Sequence, residues 1–261
     1  MSKTVKLTID GRETAVPPST TVLEAAAGLG IEIPTLCYHP ALSPQGSCRV
    51  CIVELAEERN GRTRSWIDAA CVCPVVEGLT VQTASPRVRR ERRRIVELLL
   101  SRAPESEVLI DLARRTGAEK GKFVSPDKGS SNCILCGLCV RVCSELVGVG
   151  GIGMAFRGIH RQVVSPLGQA ASVCVGCMAC AYVCPTGAIE SALKDGRLSI
   201  PTWSAELEMS LCSSCGRPVA PKAYLEKLKQ DVNLREELLG LCPECRRKHV
   251  RISSGEYGNT D

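Results

Sequence analysis

Two stretches of this chain repeat one cysteine spacing, and that spacing dictates what can form around them. Cys133-Ile134-Leu135-Cys136-Gly137-Leu138-Cys139-Val140-Arg141-Val142-Cys143 and Cys174-Val175-Gly176-Cys177-Met178-Ala179-Cys180-Ala181-Tyr182-Val183-Cys184 both read C-x2-C-x2-C-x3-C. This is the ligand pattern of bacterial-type two-cluster ferredoxins. Three closely spaced thiolates wrap one corner of a cubane, and the fourth ligates the other cluster. Cys133, Cys136, Cys139 and Cys184 are therefore expected to hold one [4Fe–4S] cluster. Cys174, Cys177, Cys180 and Cys143 are expected to hold the second. Gly137 and Gly176 permit close backbone approach to the sulfides. The runs differ after their last cysteine: Ser144 stands where the second run has Pro185.

The chain has 261 residues and 17 cysteines, with aromatics at 3% and a net charge of +5. Cysteines in C-x2-C steps chelate metal more readily than they bridge. No apolar h-region follows Met1, and the longest apolar stretches are too short to span a bilayer. A reducing, cytoplasmic compartment and metal-bound thiolates follow as expectations, with no direct membrane insertion. The few aromatics and modest charge argue against a nucleic-acid partner, although the arginine cluster from Arg87 to Arg94 keeps a metal-dependent nucleic-acid-binding regulator as an alternative of another class. A solvated or subunit-facing helix surface is the plainer reading of that cluster.

The pattern predicts an α+β protein. Residues 1–85 read as a small α+β module. Val5, Leu7 and Ile9 alternate with polar residues as in a half-buried strand, and Asp10-Gly11 signals a hairpin. Thr21 and Glu24 fit a capping box, for a helix stopped by Gly30. Residues 50–55 and 79–83 are β-rich. Cys37, Cys48 and Cys51, with either Cys71 or Cys73, form a further ligand set, reached by the turn-rich loop from Ser43 to Ser47. Residues 86–124 read as a helical linker: Ser85 and Pro86 start one helix, and a second runs from Glu107 to about Arg115 and ends at Gly117. Residues 119–131 are a polar linker. The ferredoxin region takes 125–194, with strand character expected around Gly158 in the insert. The remainder, 195–261, carries two knuckles, Cys212-x2-Cys215 and Cys242-x2-Cys245, with an amphipathic helix expected over 223–239. The knuckles resemble zinc ribbons and rubredoxin-like sites, where four thiolates satisfy structural Zn²⁺. A third [4Fe–4S] cluster is the rival occupant, and docking of a partner subunit is the expected role.

Ile33-Pro34-Thr35-Leu36-Cys37, the stretch Leu42-Ser43-Pro44-Gln45-Gly46-Ser47-Cys48-Arg49-Val50-Cys51, and Cys184-Pro185-Thr186-Gly187-Ala188 resemble one family. It is the iron–sulfur subunits of the complex I 75-kDa type, including the small diaphorase subunit of NAD-linked hydrogenases and formate dehydrogenases. The resemblance covers roughly residues 3–190. It implies a β-grasp [2Fe–2S] domain, a helical linker and a two-cluster ferredoxin domain. The segment Ala70-Cys71-Val72-Cys73-Pro74-Val75 is similar to the closing segment of such [2Fe–2S] domains, which implies Cys71 as the fourth ligand and Cys73 as the spare. Members also carry a cluster with one histidine and three cysteines in the helical region. Here 100–111 holds neither residue type, so that cluster is expected to be absent and a simple linear wire through it is broken.

The resemblance implies an electron-transport subunit of a multi-subunit NAD(P)H-linked oxidoreductase, most naturally a hydrogenase or formate dehydrogenase. As part of a hetero-oligomer it would relay electrons between a flavoprotein subunit that oxidises NAD(P)H and a catalytic subunit. A subunit of a flavin-based bifurcating complex that uses soluble ferredoxin is the alternative in the same class. No G-x-G-x-x-G follows a strand, so no catalytic residue and no turnover by the chain alone are expected.

Overall fold

The computed structural model describes residues 4–124, 132–165, 173–232 and 236–255. Two compact units emerge. One comprises Met1–Arg141, Phe156–Gln162 and Val183–Ala188; the other comprises Val142–Ala155, Val163–Tyr182 and Ile189–Asp261.

The first unit opens with a mixed sheet. Strands β1 (Val5–Ile9), β2 (Arg12–Val16), β3 (Ile52–Arg59), β4 (Arg62–Ala69) and β5 (Leu79–Gln82) lie in the order β2-β1-β5-β3-β4. β1 and β5 run parallel, and the other pairs are antiparallel. Helix α1 (Val22–Gly28) packs Val22, Leu23, Ala25 and Ala26 onto the sheet's core with Ile9, Leu55, Leu79 and Val81. Burying each such aliphatic side chain stabilises the fold by roughly 1.5–3 kcal/mol. The expected capping box is present: Glu24 N–H donates to Thr21 Oγ1 at 3.3 Å, and Thr21 N–H donates to Glu24 Oε2 at 2.8 Å. The Asp10-Gly11 turn has φ of 49° and 79°, the left-handed pair a two-residue hairpin requires. Asp10 then accepts from Thr83 N–H at 2.8 Å, tying this turn to the end of β5.

Strand β4 was not anticipated. Its signal is Asn60-Gly61, with φ of 53° and 69°, which turns β3 back on itself. β3 also starts at Ile52 rather than at Val50, leaving Cys51 just before the strand.

Helices α2 (Pro86–Arg102) and α3 (Glu107–Thr116) follow the expected boundaries, with Gly117 left-handed at φ 70°. The Ser85 hydroxyl accepts from Val88 N–H at 3.2 Å and donates to Glu54 at 2.6 Å. The arginine cluster is not uniformly solvated. Arg92 is buried, and its guanidinium donates to the carbonyls of Val50 (2.9 Å), Ile52 (2.5 Å) and Thr83 (3.1 Å). It thus holds α2 against the strand ends beside Cys51.

In the second unit a π-helical turn (Val142–Leu146) continues α4 (Leu138–Arg141) in sequence and carries Cys143. In the insert, the strand character lies on either side of Gly158 rather than at it. β6 (Gly153–Ala155) and β7 (Gln162–Val164) flank a 3₁₀ turn at Gly158–His160 that starts from left-handed Gly158. Helix α5 (Ala179–Tyr182) lies within the second run. Beyond it, β8 (Ala192–Lys194), β9 (Arg197–Ile200), β10 (Ala205–Leu211) and β11 (Pro218–Pro221) form an antiparallel sheet in the order β11-β10-β9-β8. This sheet too was missed, although Asp195-Gly196 marks its first hairpin. The helix expected over 223–239 is not continuous. α6 (Lys222–Asp231) ends before extended Val232, a half-exposed β-branched residue with little apolar burial to hold it in a helix. Residues 233–235 lie outside the described residues, as does the 125–131 part of the polar linker; α7 (Glu236–Leu239) and α8 (Pro243–Gly255) come next. Among the described residues, no helix is long and apolar enough to cross a membrane.

Arg92→Leu should destabilise the first unit by roughly 3–5 kcal/mol, because three buried carbonyls lose charge-assisted partners. Denaturant unfolding of wild type and variant measures this. An Arg90→Leu control, at an exposed position of the same helix, should stay within about 0.5 kcal/mol.

Candidate metal centres

Cys37, Cys48, Cys51 and Cys71 are all buried beside the first sheet. Cys51 Sγ lies 3.4 Å from Cys71 Sγ, and Cys37 interacts most strongly with the Cys48 thiol. The loop from Ser43 to Ser47 aims backbone at this group: the N–H groups of Ser47 and Cys48 point at Cys37 Sγ, the latter at 3.4 Å. Gly46 allows that path, with φ of 65° and little room for a side chain, since a Cβ would come within 3.1 Å of the Val72 side chain. Thiols this crowded cannot all ionise without a cation. The Cys48 thiol holds Cys37 down at about 2, and the Cys71 thiol holds Cys51 down at about 7. Cys48 is pushed up by Cys37 and then by burial, and Cys71 by Cys37, then by Cys51 and by burial. Metal would replace the shared protons. Cys73 stands apart, half-buried, with its thiol directed at the Pro74 carbonyl at 3.6 Å.

The two central runs share a backbone path. The residues just before and just after the second cysteine are left-handed in the first run, Leu135 (φ 55°) and Gly137 (76°), and so are Gly176 (71°) and Met178 (60°) in the second. A left-handed Leu or Met costs about 1–2 kcal/mol. The return is a loop whose N–H groups turn inward to the sulfurs. Leu138 N–H donates to Cys136, Gly176 N–H to Cys174, and Ala179 N–H to Cys177. Ala188 N–H reaches Cys184 Sγ at 3.3 Å, and Gly151 N–H reaches Cys143 Sγ at 3.3 Å. Burial pushes the Cys136 thiol up to about 11, as expected of sulfurs in low dielectric awaiting a cation.

Each fourth cysteine falls with the opposite run. Cys184 belongs to the unit that holds Cys133, Cys136 and Cys139, and Cys143 to the unit that holds Cys174, Cys177 and Cys180. The latter four line one pocket with apolar walls that include Val149, Ile152 and Ile200. At Cys143 the wider π-helical turn uses Ser144 where the other run has proline, and the Cys143 carbonyl accepts from Val149 and Gly150 N–H. Arg141, a residue that sequence reasoning passed over, links two cysteine loops. It is buried and donates to the carbonyls of Cys37 at 2.7 Å and of Ser43. Where a histidine-ligated cluster would be sought, the α2–α3 junction is packed with Leu100, Ala103 and Leu109.

The four tail cysteines converge. The sulfurs of Cys212, Cys215, Cys242 and Cys245 all lie within 4.8 Å of one another. The first knuckle closes through Gly216 N–H to Cys212 O at 2.9 Å, and Cys242 N–H donates to Cys212 Sγ at 3.3 Å. That N–H leads the lowering of Cys212 to about 6. Arg217, also unforeseen, donates to Cys215 Sγ at 3.4 Å, lowers that thiol, and pairs with Glu244 at 2.5 Å.

These sites and folds define an iron–sulfur protein. Residues 2–86 match the 2Fe-2S iron-sulfur cluster binding domain family, and residues 132–188 match the 4Fe-4S dicluster domain family. The chain is similar to a chain of a NAD⁺-reducing [NiFe]-hydrogenase in its H₂-reduced state, with a TM-score of 0.59 and 30% identity, covering 77% of this chain and 88% of that one. Among curated relatives, a component of the NADH-quinone oxidoreductase of Rhizobium meliloti is 32% identical over 81% of this chain and 27% of its own. "NADPH-Fe(3+) oxidoreductase subunit alpha" of Geobacter sulfurreducens is 33% identical over 81% of this chain and 26% of its own. "NADP-reducing hydrogenase subunit HndD" of Solidesulfovibrio fructosivorans is 35% identical over 70% of this chain and 35% of its own. The chain thus spans about a quarter to a third of the length of these curated relatives. It belongs to the family of iron–sulfur subunits found in NADH-quinone oxidoreductases and NAD-reducing hydrogenases.

Cys71→Ser should abolish the [2Fe–2S] signal in the EPR spectrum of the reduced protein, whereas Cys73→Ser should leave it in place. The reverse outcome would move the fourth ligand to Cys73. Cys242→Ser should lower the metal content by one non-cluster ion per chain, measured by elemental analysis.

Proposed function

We propose that the chain is an electron-transfer subunit of a multi-subunit NAD(P)H-linked oxidoreductase, of hydrogenase or formate dehydrogenase type, working in the cytoplasm. The observation that carries this is the repeated left-handed cysteine loop, with amide N–H groups turned onto buried or half-buried sulfurs. Bound clusters would supply one-electron storage; the chain's own residues hold them, exclude water and set their potentials.

Cys37, Cys48, Cys51 and Cys71 would hold a [2Fe–2S] cluster. Cys37 interacts with both Cys48 and Cys71, and Cys71 also with Cys51, so the four sulfurs form one connected group, as one shared cluster requires. Cys133, Cys136, Cys139 and Cys184 would hold one [4Fe–4S] cluster, and Cys174, Cys177, Cys180 and Cys143 the other. The grouping of each fourth cysteine with the opposite run favours this crossed scheme. Arg141 supports a direct relation between the [2Fe–2S] loop and the first ferredoxin loop. It binds the Cys37 carbonyl, and Cys37 and Cys136 are near enough to influence each other's charge. On this reading the helical linker needs no cluster of its own.

For the tail, a single tetrahedral ion fits best. Zinc–sulfur bonds of about 2.3 Å place the sulfurs of a tetrahedron about 3.8 Å apart. The Cys215 and Cys242 sulfurs lie 3.6 Å apart. A cubane spreads its thiolates wider than this group allows. We assign the site to Zn²⁺.

Similarity to hydrogenase and NAD(P)H oxidoreductase subunits supports partners of two kinds, a flavoprotein subunit that oxidises NAD(P)H and a catalytic subunit. Affinity purification from the native host under anaerobic conditions, with mass spectrometry of the co-purifying chains, tests this. A flavoprotein and a nickel or molybdenum subunit are the expected partners, and a complex without any flavoprotein would refute the reading. The chain purified by itself under anaerobic conditions should contain about ten irons and one zinc. About fourteen irons would put a cubane in the tail.

A further inference from the structure

The tail has a second role, which depends on the assignment of Cys143, Cys174, Cys177 and Cys180 to a cluster. The pocket formed by those cysteines is not closed by the ferredoxin region alone. Ile200 and Trp203, from the end of β9 and the 3₁₀ turn that follows it, complete the wall. Both are buried, Ile200 with 1% and Trp203 with 4% of their surface exposed. The second run is built to receive this sheet. A Cβ on Gly176 would come within 2.8 Å of Pro221, 3.0 Å of Leu207 and 3.3 Å of Leu198, all residues of β9, β10 and β11. Glycine at 176 therefore does two things: it adopts φ of 71° and lets the sheet lie directly on the cysteine loop.

Trp203 brings a side-chain N–H to that wall. Its indole Nε1 is fully buried and has no partner at ordinary hydrogen-bond distance. An unpaired buried N–H is costly, so its position needs an acceptor that develops with the site. Trp203 lines the same pocket as Cys143, Cys174, Cys177 and Cys180, and Cys180 is the sulfur it interacts with. A thiolate bound to iron keeps part of its negative charge, and gains more when the cluster is reduced. A donor aimed at that sulfur stabilises the reduced state more than the oxidised one.

We propose that Trp203 is a positioning residue for the second [4Fe–4S] cluster: its indole N–H, held over Cys180 by the tail sheet, raises that cluster's reduction potential. The tail is then a part of the redox site as well as a metal-stabilised module. It gives the second cysteine loop a donor from outside the loop, a means of tuning that cluster's potential.

The test is an EPR-monitored redox titration of wild type and Trp203→Phe, both reconstituted anaerobically. Phenylalanine keeps an apolar ring in the wall and removes the N–H. One [4Fe–4S] midpoint should move to more negative potential, while the [2Fe–2S] and the other [4Fe–4S] midpoints stay in place at unchanged iron content. Two cubane signals with unmoved midpoints in the variant would overturn the role of Trp203 and leave the ligand assignment standing. A single cubane signal in wild type would overturn the assignment and the proposal with it. Should Trp203→Phe fail to fold, pulsed EPR on a Trp66→Phe chain labelled with ¹⁵N-indole decides. A ¹⁵N coupling on one cubane signal is expected, and its absence refutes the proposal.

Discussion

The structure depends on where it puts negative charge. A dozen cysteines proposed as cluster ligands sit in or near low dielectric, and an isolated buried anion there costs more than a small domain can supply. On that reading, backbone amides and metal charge together would offset that cost. The left-handed residues around the second cysteine of each run, Leu135 and Gly137, then Gly176 and Met178, turn successive N–H groups toward the sulfurs. The strain at Leu135 and Met178 has its explanation in that electrostatic need, since a relaxed loop would point those amides elsewhere.

Two buried arginines brace the same arrangement from outside. Arg92 caps the carbonyl ends of the strands beside Cys51, and Arg141 takes the carbonyls of Cys37 and Ser43. At these contacts both bind backbone oxygens rather than carboxylates, which fixes a formal positive charge close to the sulfurs. Arg217 plays the equivalent part at the tail site, donating to Cys215 while Glu244 steadies it. Cations held next to thiolates recur at the [2Fe–2S] loop and at the tail knuckles.

Much of the local structure was legible because it is set by short-range geometry. Thr21 with Glu24, Ser85 with Pro86, and Gly117 each mark a helix end through contacts with residues at most four positions away. Strands β4 and β8 to β11 were harder to read. Their residues are largely charged or half-exposed, so alternation is weak. Only Asn60-Gly61 and Asp195-Gly196 announced them. The long helix expected over 223–239 failed for a related reason: periodicity alone does not show whether an apolar face such as Val232 finds anything to pack against.

Cysteine spacing by itself determined the kind of chemistry and pointed to the residues proposed to carry it, because a thiolate's affinity for iron or zinc is intrinsic and a few intervening residues limit how its neighbours can wrap. Tertiary structure alone decided which distant residues complete each site. Arg141 meets Cys37, Trp203 lines one pocket with Cys180, and the four tail sulfurs converge across β11, α6 and α7. Those meetings rest on sheet registry and on the packing of Gly176 beneath a sheet, long-range matters of shape that no local spacing encodes.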